Sequence, residues 1–277
     1  MQKVDQSSHI AHQVADAYAA APQVAAVAWA GSQVNRVADP GSDIDLYVYV
    51  TEEIPLSRRR DIALVRGEQP EVGNAFWEPG DEWIERDSGV HIDVMFRHTQ
   101  WIEAELARVL QRHEASVGYS TCIWHNVRVS RALFDRTGWF GRLHASAQQP
   151  YPEALRQAII AKNAPLLATT HSSYLYQITR AAERDDAVSL NHRVAALLAS
   201  YFDILFALNR QTHPGEKRLV ALVLRDCPLR PDNMAEQVDQ LIAAVGLKDR
   251  SVVERARAVV EGLQPLLRQE GYWRSQA

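Results

Sequence analysis

The hydrophobic spacing of this 277-residue chain changes period near residue 148. Before that point, apolar residues come in short runs that cluster or alternate as strands do. "QVAAVAWA" ends at Gly31, "DIDLYVYV" follows at Asp43, and "GVHIDVMFR" puts Val90, Ile92, Val94 and Phe96 on one phase of a period of two. Three stretches break the strand pattern with helical spacing: about Ser8 to Ala20, entered at the Ser7-Ser8 pair, then "LSRRRDIALVRG" and "WIEAELARVLQRH". "RALFDRTG" reads as a strand running into a turn, and "EQPEVGNAFWEPGDEWIERDSG" as irregular. After "SAQQPYP" the three- and four-residue step takes over. In "HRVAALLASYFDILFALNRQ", Val194, Leu197, Leu198, Tyr201, Leu205 and Leu208 fall on one helix face. Further helices are expected at about 152–184, 216–226, 232–245 and 251–269, with Pro165 kinking or dividing the first and Ser251 with Glu254 capping the last. The expectation is an α/β (α+β) domain over residues 1–147 and a helical domain over 148–277.

Composition narrows the partners. With 30 basic and 34 acidic residues the net charge is −4, which argues against a protein dominated by phosphate-backbone binding while leaving room for a local basic cleft, and no basic stretch is interleaved with aromatics. Two distant cysteines, Cys122 and Cys227, make neither a disulfide framework nor a zinc pattern. A reducing, cytoplasmic setting is the expectation, and no apolar run is long enough to suggest a membrane span.

The stretch "AGSQVNRVADPGSDIDLYVYV" carries the chemistry. On a strand, Asp43 and Asp45 share a face while Ile44 points to the other. Two carboxylates held that close repel unless a cation lies between them, and hard oxygen ligands beside phosphate suit Mg²⁺. Gly31 lets a backbone approach phosphate without a Cβ, and Ser32 adds a hydroxyl and an N–H. Alone, a D-x-D on a strand is usually a solvated edge and a Gly-Ser a common turn. The ordered combination is more specific. Asp93, in mid-strand within "HIDVMF", sharpens it, because a carboxylate there is costly to bury unpaired. If its strand lies beside "DIDLYVYV", three carboxylates can hold two metal ions, one neutralising a triphosphate and one activating a hydroxyl.

"GS", ten residues, "DIDLYVYV" and the later "HIDVMF" resemble the catalytic signature of the nucleotidyltransferase superfamily typified by DNA polymerase beta. The motif spans about residues 24–97. The two-part layout is similar to the aminoglycoside and lincosamide nucleotidyltransferases, in which a mixed-sheet catalytic domain precedes a helical one. The resemblance implies that Gly31 and Ser32 hold the triphosphate, that Asp43 and Asp45 bind Mg²⁺ with the nucleotide, and that Asp93 completes a second metal site and acts as general base. The implied reaction transfers a nucleoside monophosphate, AMP from ATP in the leading case, to a hydroxyl of a small molecule such as an antibiotic, with release of pyrophosphate.

Secondary candidates follow. Lys217, in "HPGEK" ahead of a helix, resembles the lysine that such helical domains supply to phosphate; an interhelical turn with solvated charges explains it equally well. Arg36, between the Gly-Ser and D-x-D elements, is a further phosphate contact, although loop arginines are more often solvated. The acidic stretch "EPGDEWIERD", beside Trp77 and Trp83, offers Glu78, Asp81 and Glu82 to a polycationic acceptor. Its commoner explanation is a solvated loop. His91 shares the face of Asp93, and Glu103 or Glu105 is an additional base candidate. Two other functions fit the signature: a protein-adenylylating enzyme of the antitoxin type, against which the long helical half counts, and a non-catalytic nucleotide-binding module, which would not need a third carboxylate.

Overall fold

The computed structural model describes residues 2–30, 43–76, 78–246 and 251–272. The chain divides into two compact units, residues 1–107 with 123–149, and residues 108–122 with 150–277.

The first unit is built on a mixed sheet. Its strands are β1 (Val24–Ala30), β2 (Ile44–Val50), β3 (Gly67–Asn74), β4 (Gly80–Glu85), β5 (His91–His98) and β6 (Arg131–Asp135). Among the described residues the order is β3-β4-β5-β2-β1-β6. β2 and β5 run parallel, joined through α2 and the β3–β4 hairpin, and every other pair is antiparallel. Helices α1 (Gln2–Ala19), α2 (Leu56–Arg66), α3 (Thr99–Leu110), α4 (Cys122–Val129) and α5 (Trp139–Ala147) accompany the sheet.

Period-two alternation assigns the sheet two different faces. Ile44, Leu46 and Val48 of β2, Ile92 and Val94 of β5 and Trp83 of β4 join one core with Ile10, Val14 and Tyr18 of α1 and Ile62 of α2. The alternate residues of β2 point the other way, where Tyr49 lies 5.3 Å, ring to ring, from both Trp139 and Phe140 of α5. The expected alternation of "HIDVMF" therefore holds, with Ile92 and Val94 fully buried in that core and Asp93 on the opposite face.

Three expectations differ from the structure. The stretch read as irregular is the β3–β4 hairpin. Pro70 and the positive-φ residues Gln69 and Gly73 break its alternation, which an edge strand tolerates through the register shifts at Glu68/Glu71 and Val72/Asn74. Helix α1 begins at Gln2, because nothing between there and the two serines breaks a helix. The short helices α4 and α5, of 8 and 9 residues, fall below the length at which periodicity is readable.

The second unit contains α6 (Glu153–Ala168), α7 (Tyr174–Glu183), α8 (Ala187–Leu208), α9 (Leu219–Asp226), α10 (Met234–Gly246) and α11 (Val252–Gln269). Pro165 lies in the last turn of α6, which ends at Ala168, so the expected long helix is two helices. Ser173 caps α7, its side chain accepting from the Tyr176 N–H. Ser251 precedes α11 without a side-chain cap hydrogen bond, contrary to the capping-box expectation. The helical unit also takes in residues 108–122, which the sequence reading assigned to the first domain. Buried polar anchors hold this segment: Asn163 accepts from the Gly118 N–H at 3.0 Å and Asp203 from the Ser120 hydroxyl at 2.7 Å. Such long-range hydrogen bonds leave no local trace in spacing.

Candidate active site

Three neighbouring strands bring carboxylates into one row. Asp45 on β2 is the register partner of Asp93 on the parallel β5, and Asp93 is in turn the partner of Glu82 on the antiparallel β4. All three sit on the face away from the α1 core, because each core-facing neighbour, Ile44, Ile92 and Trp83, is buried on the other side. Asp43 stands two residues before Asp45, exposed, just ahead of β2. His91 lies between: its Nδ1 is 3.7 Å from an Asp43 oxygen and its Nε2 3.6 Å from a Glu82 oxygen. These are ion-pair separations, longer than hydrogen bonds.

The electrostatics of the row are those of crowded negative charge. Asp93 has its pKa raised, first by burial, then by Glu82, Asp43 and Glu78, with His91 opposing. Hard oxygen donors under mutual repulsion match a divalent cation in chemical kind. Among the described residues, however, no three His, Cys, Asp or Glu side chains converge on a single metal position. The carboxylates are arranged side by side along the sheet.

Behind the row sits an arginine that the sequence reading passed over. Arg97 shares the phase of Asp93, is 3% exposed, and lies with its guanidinium carbon 3.7 Å from the centre of the Tyr47 ring. It donates to both oxygens of Glu78, Nε and Nη2 each at 2.8 Å. Burial by itself would lower the Arg97 pKa, but the hydrogen-bonded Glu78 more than offsets this and the guanidinium stays charged. The signal available in the sequence was the two-residue step from Asp93 through Met95 to Arg97.

The acidic stretch 78–87 proves heterogeneous. Glu82 joins the row. Glu78 is half-buried and engaged by Arg97, so as an acceptor contact it would have to serve both partners. Asp81 corrects the expectation: it is 0% exposed on the core face, accepting from Arg59 at 2.6 and 2.9 Å, from the Tyr18 hydroxyl at 3.1 Å and from the Gly73 N–H at 2.8 Å. Adjacent residues of one strand face opposite ways, so Asp81 and Glu82 cannot serve one site. Trp83 is likewise a core residue, while Trp77 lies outside the described residues.

Gly31, Ser32 and Arg36 also lie outside the described residues. Lys217 is exposed in the turn ahead of α9, in the helical unit. Glu103 accepts from the Trp139 indole N–H at 2.7 Å, which gives it a structural role. Both cysteines are free thiols whose pKa is pushed up to about 12 by burial, so neither is a ready nucleophile. No described helix is long and apolar enough to cross a membrane.

Comparison with known proteins gives limited matches. Residues 120–219 match the family model described as "Domain of unknown function (DUF4037)". No curated protein matches. Among solved structures, a nucleotidyltransferase-like protein from Exiguobacterium sibiricum 255-15 is similar at 14% identity with a TM-score of 0.43, over 91% of this chain and 71% of that one.

Proposed function

We propose that the carboxylate row of the first unit carries out nucleotidyl transfer from a nucleoside triphosphate, ATP in the leading case, to a hydroxyl of a small molecule. The observation that carries this reading is the register: Asp45, Asp93 and Glu82 stand abreast on three adjacent strands, with Asp43 just before them. Asp43, Asp45 and Asp93 would hold Mg²⁺, two ions on the fullest reading, which neutralises the phosphates when bound.

The chain's own residues do the rest. Asp93, with its pKa raised by burial and neighbouring charge, is suited to take the acceptor's proton. The acceptor oxygen then bonds to the α-phosphorus in line, the bond from that phosphorus to the bridging oxygen breaks, and pyrophosphate leaves with the electron pair. Positioning on a rigid sheet supplies most of the catalysis, as in other phosphoryl transfers. Glu82 and the Arg97-held Glu78 line the negative side of the row and favour a cationic acceptor such as an aminoglycoside. Gly31, Ser32 and Arg36 remain phosphate-contact proposals from the sequence, as does the exposed ammonium of Lys217.

The test is pyrophosphate release from each nucleoside triphosphate with Mg²⁺ against a panel of aminoglycosides, lincosamides and candidate proteins. Release with a small hydroxylated cation is the expected result. Release with a protein alone would move the assignment to a protein-modifying enzyme. Metal-dependent binding without release would leave a nucleotide-binding module. Neither binding nor release would end the nucleotide reading.

A further inference from the structure

Five residues with hydrogen-bonding side chains, Thr169, Thr170, His171, Ser172 and Ser173, connect α6 to α7. The backbone of this connection is tied down by itself. The N–H groups of Thr169 and Thr170 donate to the Pro165 carbonyl at 3.0 and 3.1 Å, and the Ser173 N–H to the Thr170 carbonyl at 3.0 Å. The Gln177 side-chain amide donates to the Ser172 carbonyl at 2.6 Å. The Thr170 hydroxyl and the His171 ring take no part: neither has a hydrogen-bond partner among the described residues.

Both groups line a cleft of about 490 Å³, a volume typical of a small-molecule site. Arg257 lines it from α11, which packs against α7 within the same unit. Among the described residues Arg257 has no carboxylate at ion-pair distance, whereas Arg156, Arg180, Arg210 and Arg225 of this unit each have one. None of the lining residues is acidic, in a chain of net charge −4. Ser173 lines the cleft while only 2% exposed. Its oxygen accepts from the Tyr176 N–H at 3.4 Å, which leaves its hydroxyl proton with no acceptor among the described residues. A wall of Leu175 and the 54% exposed Tyr176 completes the cleft. Guanidinium, hydroxyls and an imidazole gathered without an acceptor call for an anion with several oxygens. A carboxylate offers two; a phosphate monoester offers three and a larger charge.

We infer that this cleft binds a phosphate monoester, with Arg257 and Ser173 on the phosphate oxygens and the organic part along Tyr176. The site is separate from the proposed nucleotide chemistry: every lining residue belongs to the helical unit, and the carboxylate row neither supplies it nor needs it.

The experiment is calorimetric titration of the full chain, in the presence of EDTA, with phenyl phosphate, inorganic phosphate and benzoate. The chelator removes divalent ions, without which the carboxylate row repels an anion. The wild type should bind phenyl phosphate more tightly than inorganic phosphate, and benzoate about tenfold more weakly than phenyl phosphate. Loss of a charge-assisted hydrogen bond in Arg257→Gln should weaken both phosphates about tenfold or more. Loss of the ring in Tyr176→Ala should weaken phenyl phosphate about three- to tenfold and leave inorganic phosphate unchanged. Both side chains are exposed, so the variants should fold, which far-UV circular dichroism checks. No binding of phenyl phosphate by the wild type, equal binding by Arg257→Gln and wild type, or benzoate binding as tight as phenyl phosphate would each overturn the inference and leave the nucleotide reading intact. Phenyl phosphate binding in a chain that releases no pyrophosphate with Mg²⁺ would support this site while that reading failed.

Discussion

Asp81 and Asp93 are register neighbours of one another's partners on adjacent strands, yet the sheet puts them to opposite uses. Asp81 faces the α1 core, excluded from solvent, and each of its oxygens accepts from at least two donors among Arg59, Tyr18 and Gly73. Asp93 faces the other way, where its neighbours are further carboxylates and one histidine, and its pKa rises. A compensated buried carboxylate is a structural part; removing it strands a buried guanidinium. A carboxylate among like charges weakens the fold. On the proposed reading, the two faces of this sheet separate stability from chemistry.

The largest effect should come from breaking the row. On the proposed reading, Asp45→Asn and Asp93→Asn each lower turnover by about 1,000-fold or more, a barrier increase of about 4 kcal/mol. Thermal unfolding should show either variant as stable as the wild type or slightly more so, because a like charge has been removed. A wild-type rate in either variant would refute the role of the row. Asp81→Ala should do the reverse. It leaves Arg59 buried without its partner, at about 3–5 kcal/mol, or roughly 10 °C in melting temperature for a domain of this size. A melting temperature within 2 °C of wild type would show that the pair on the core face is not what the hydrogen bonds indicate.

Glu82→Gln sharpens the contrast within a single strand. It should leave stability unchanged, unlike its neighbour, and lower kcat/KM for a cationic acceptor about tenfold, read as a rise in KM. An unchanged KM would remove Glu82 from the acceptor side.

A smaller effect belongs to the helical unit. Burial raises the Asp203 pKa to about 7, against the lowering effect of its hydrogen bonds from Ser120. Its unfolded value is about 3.9. The folded chain then binds more protons than the unfolded one between these values, so this group's contribution to stability falls as pH rises from about 4 to about 7 and is level above. Asn163, Tyr119, Tyr151 and Cys122 are the other groups facing it. Denaturant unfolding across that range should give a smaller downward slope for Asp203→Asn than for the wild type; parallel curves would show that Asp203 does not titrate there.

Much of this was legible in order along the chain. The alternation in "HIDVMF" assigned Ile92 and Val94 to a core and Asp93 to the opposite face, because a strand's period is a local steric property. The same rule would have separated Asp81 from Glu82, but Pro70, Gly73 and Pro79 hid the hairpin and left the stretch looking like a loop. Arg97 escaped notice for a related reason. An arginine in a strand is unremarkable until Glu78 is found 19 residues earlier and folded back to meet it.

The sequence by itself determined the change from strand to helix near residue 148, the faces of the strands around Asp45 and Asp93, and the residue types available to a hard cation. These depend on periodicity and composition, which act over a few residues. The tertiary structure alone decided that Asp45, Asp93 and Glu82 stand abreast, because strand order and register are set by cooperative packing of the whole sheet. It likewise decided that Asp81 is sealed in the core and that residues 108–122 belong to the helical unit, where buried Asn163 and Asp203 find donors more than 40 residues away in the chain. Partners at such separations are chosen by burial, since a buried polar group must be satisfied by whatever the fold brings to it.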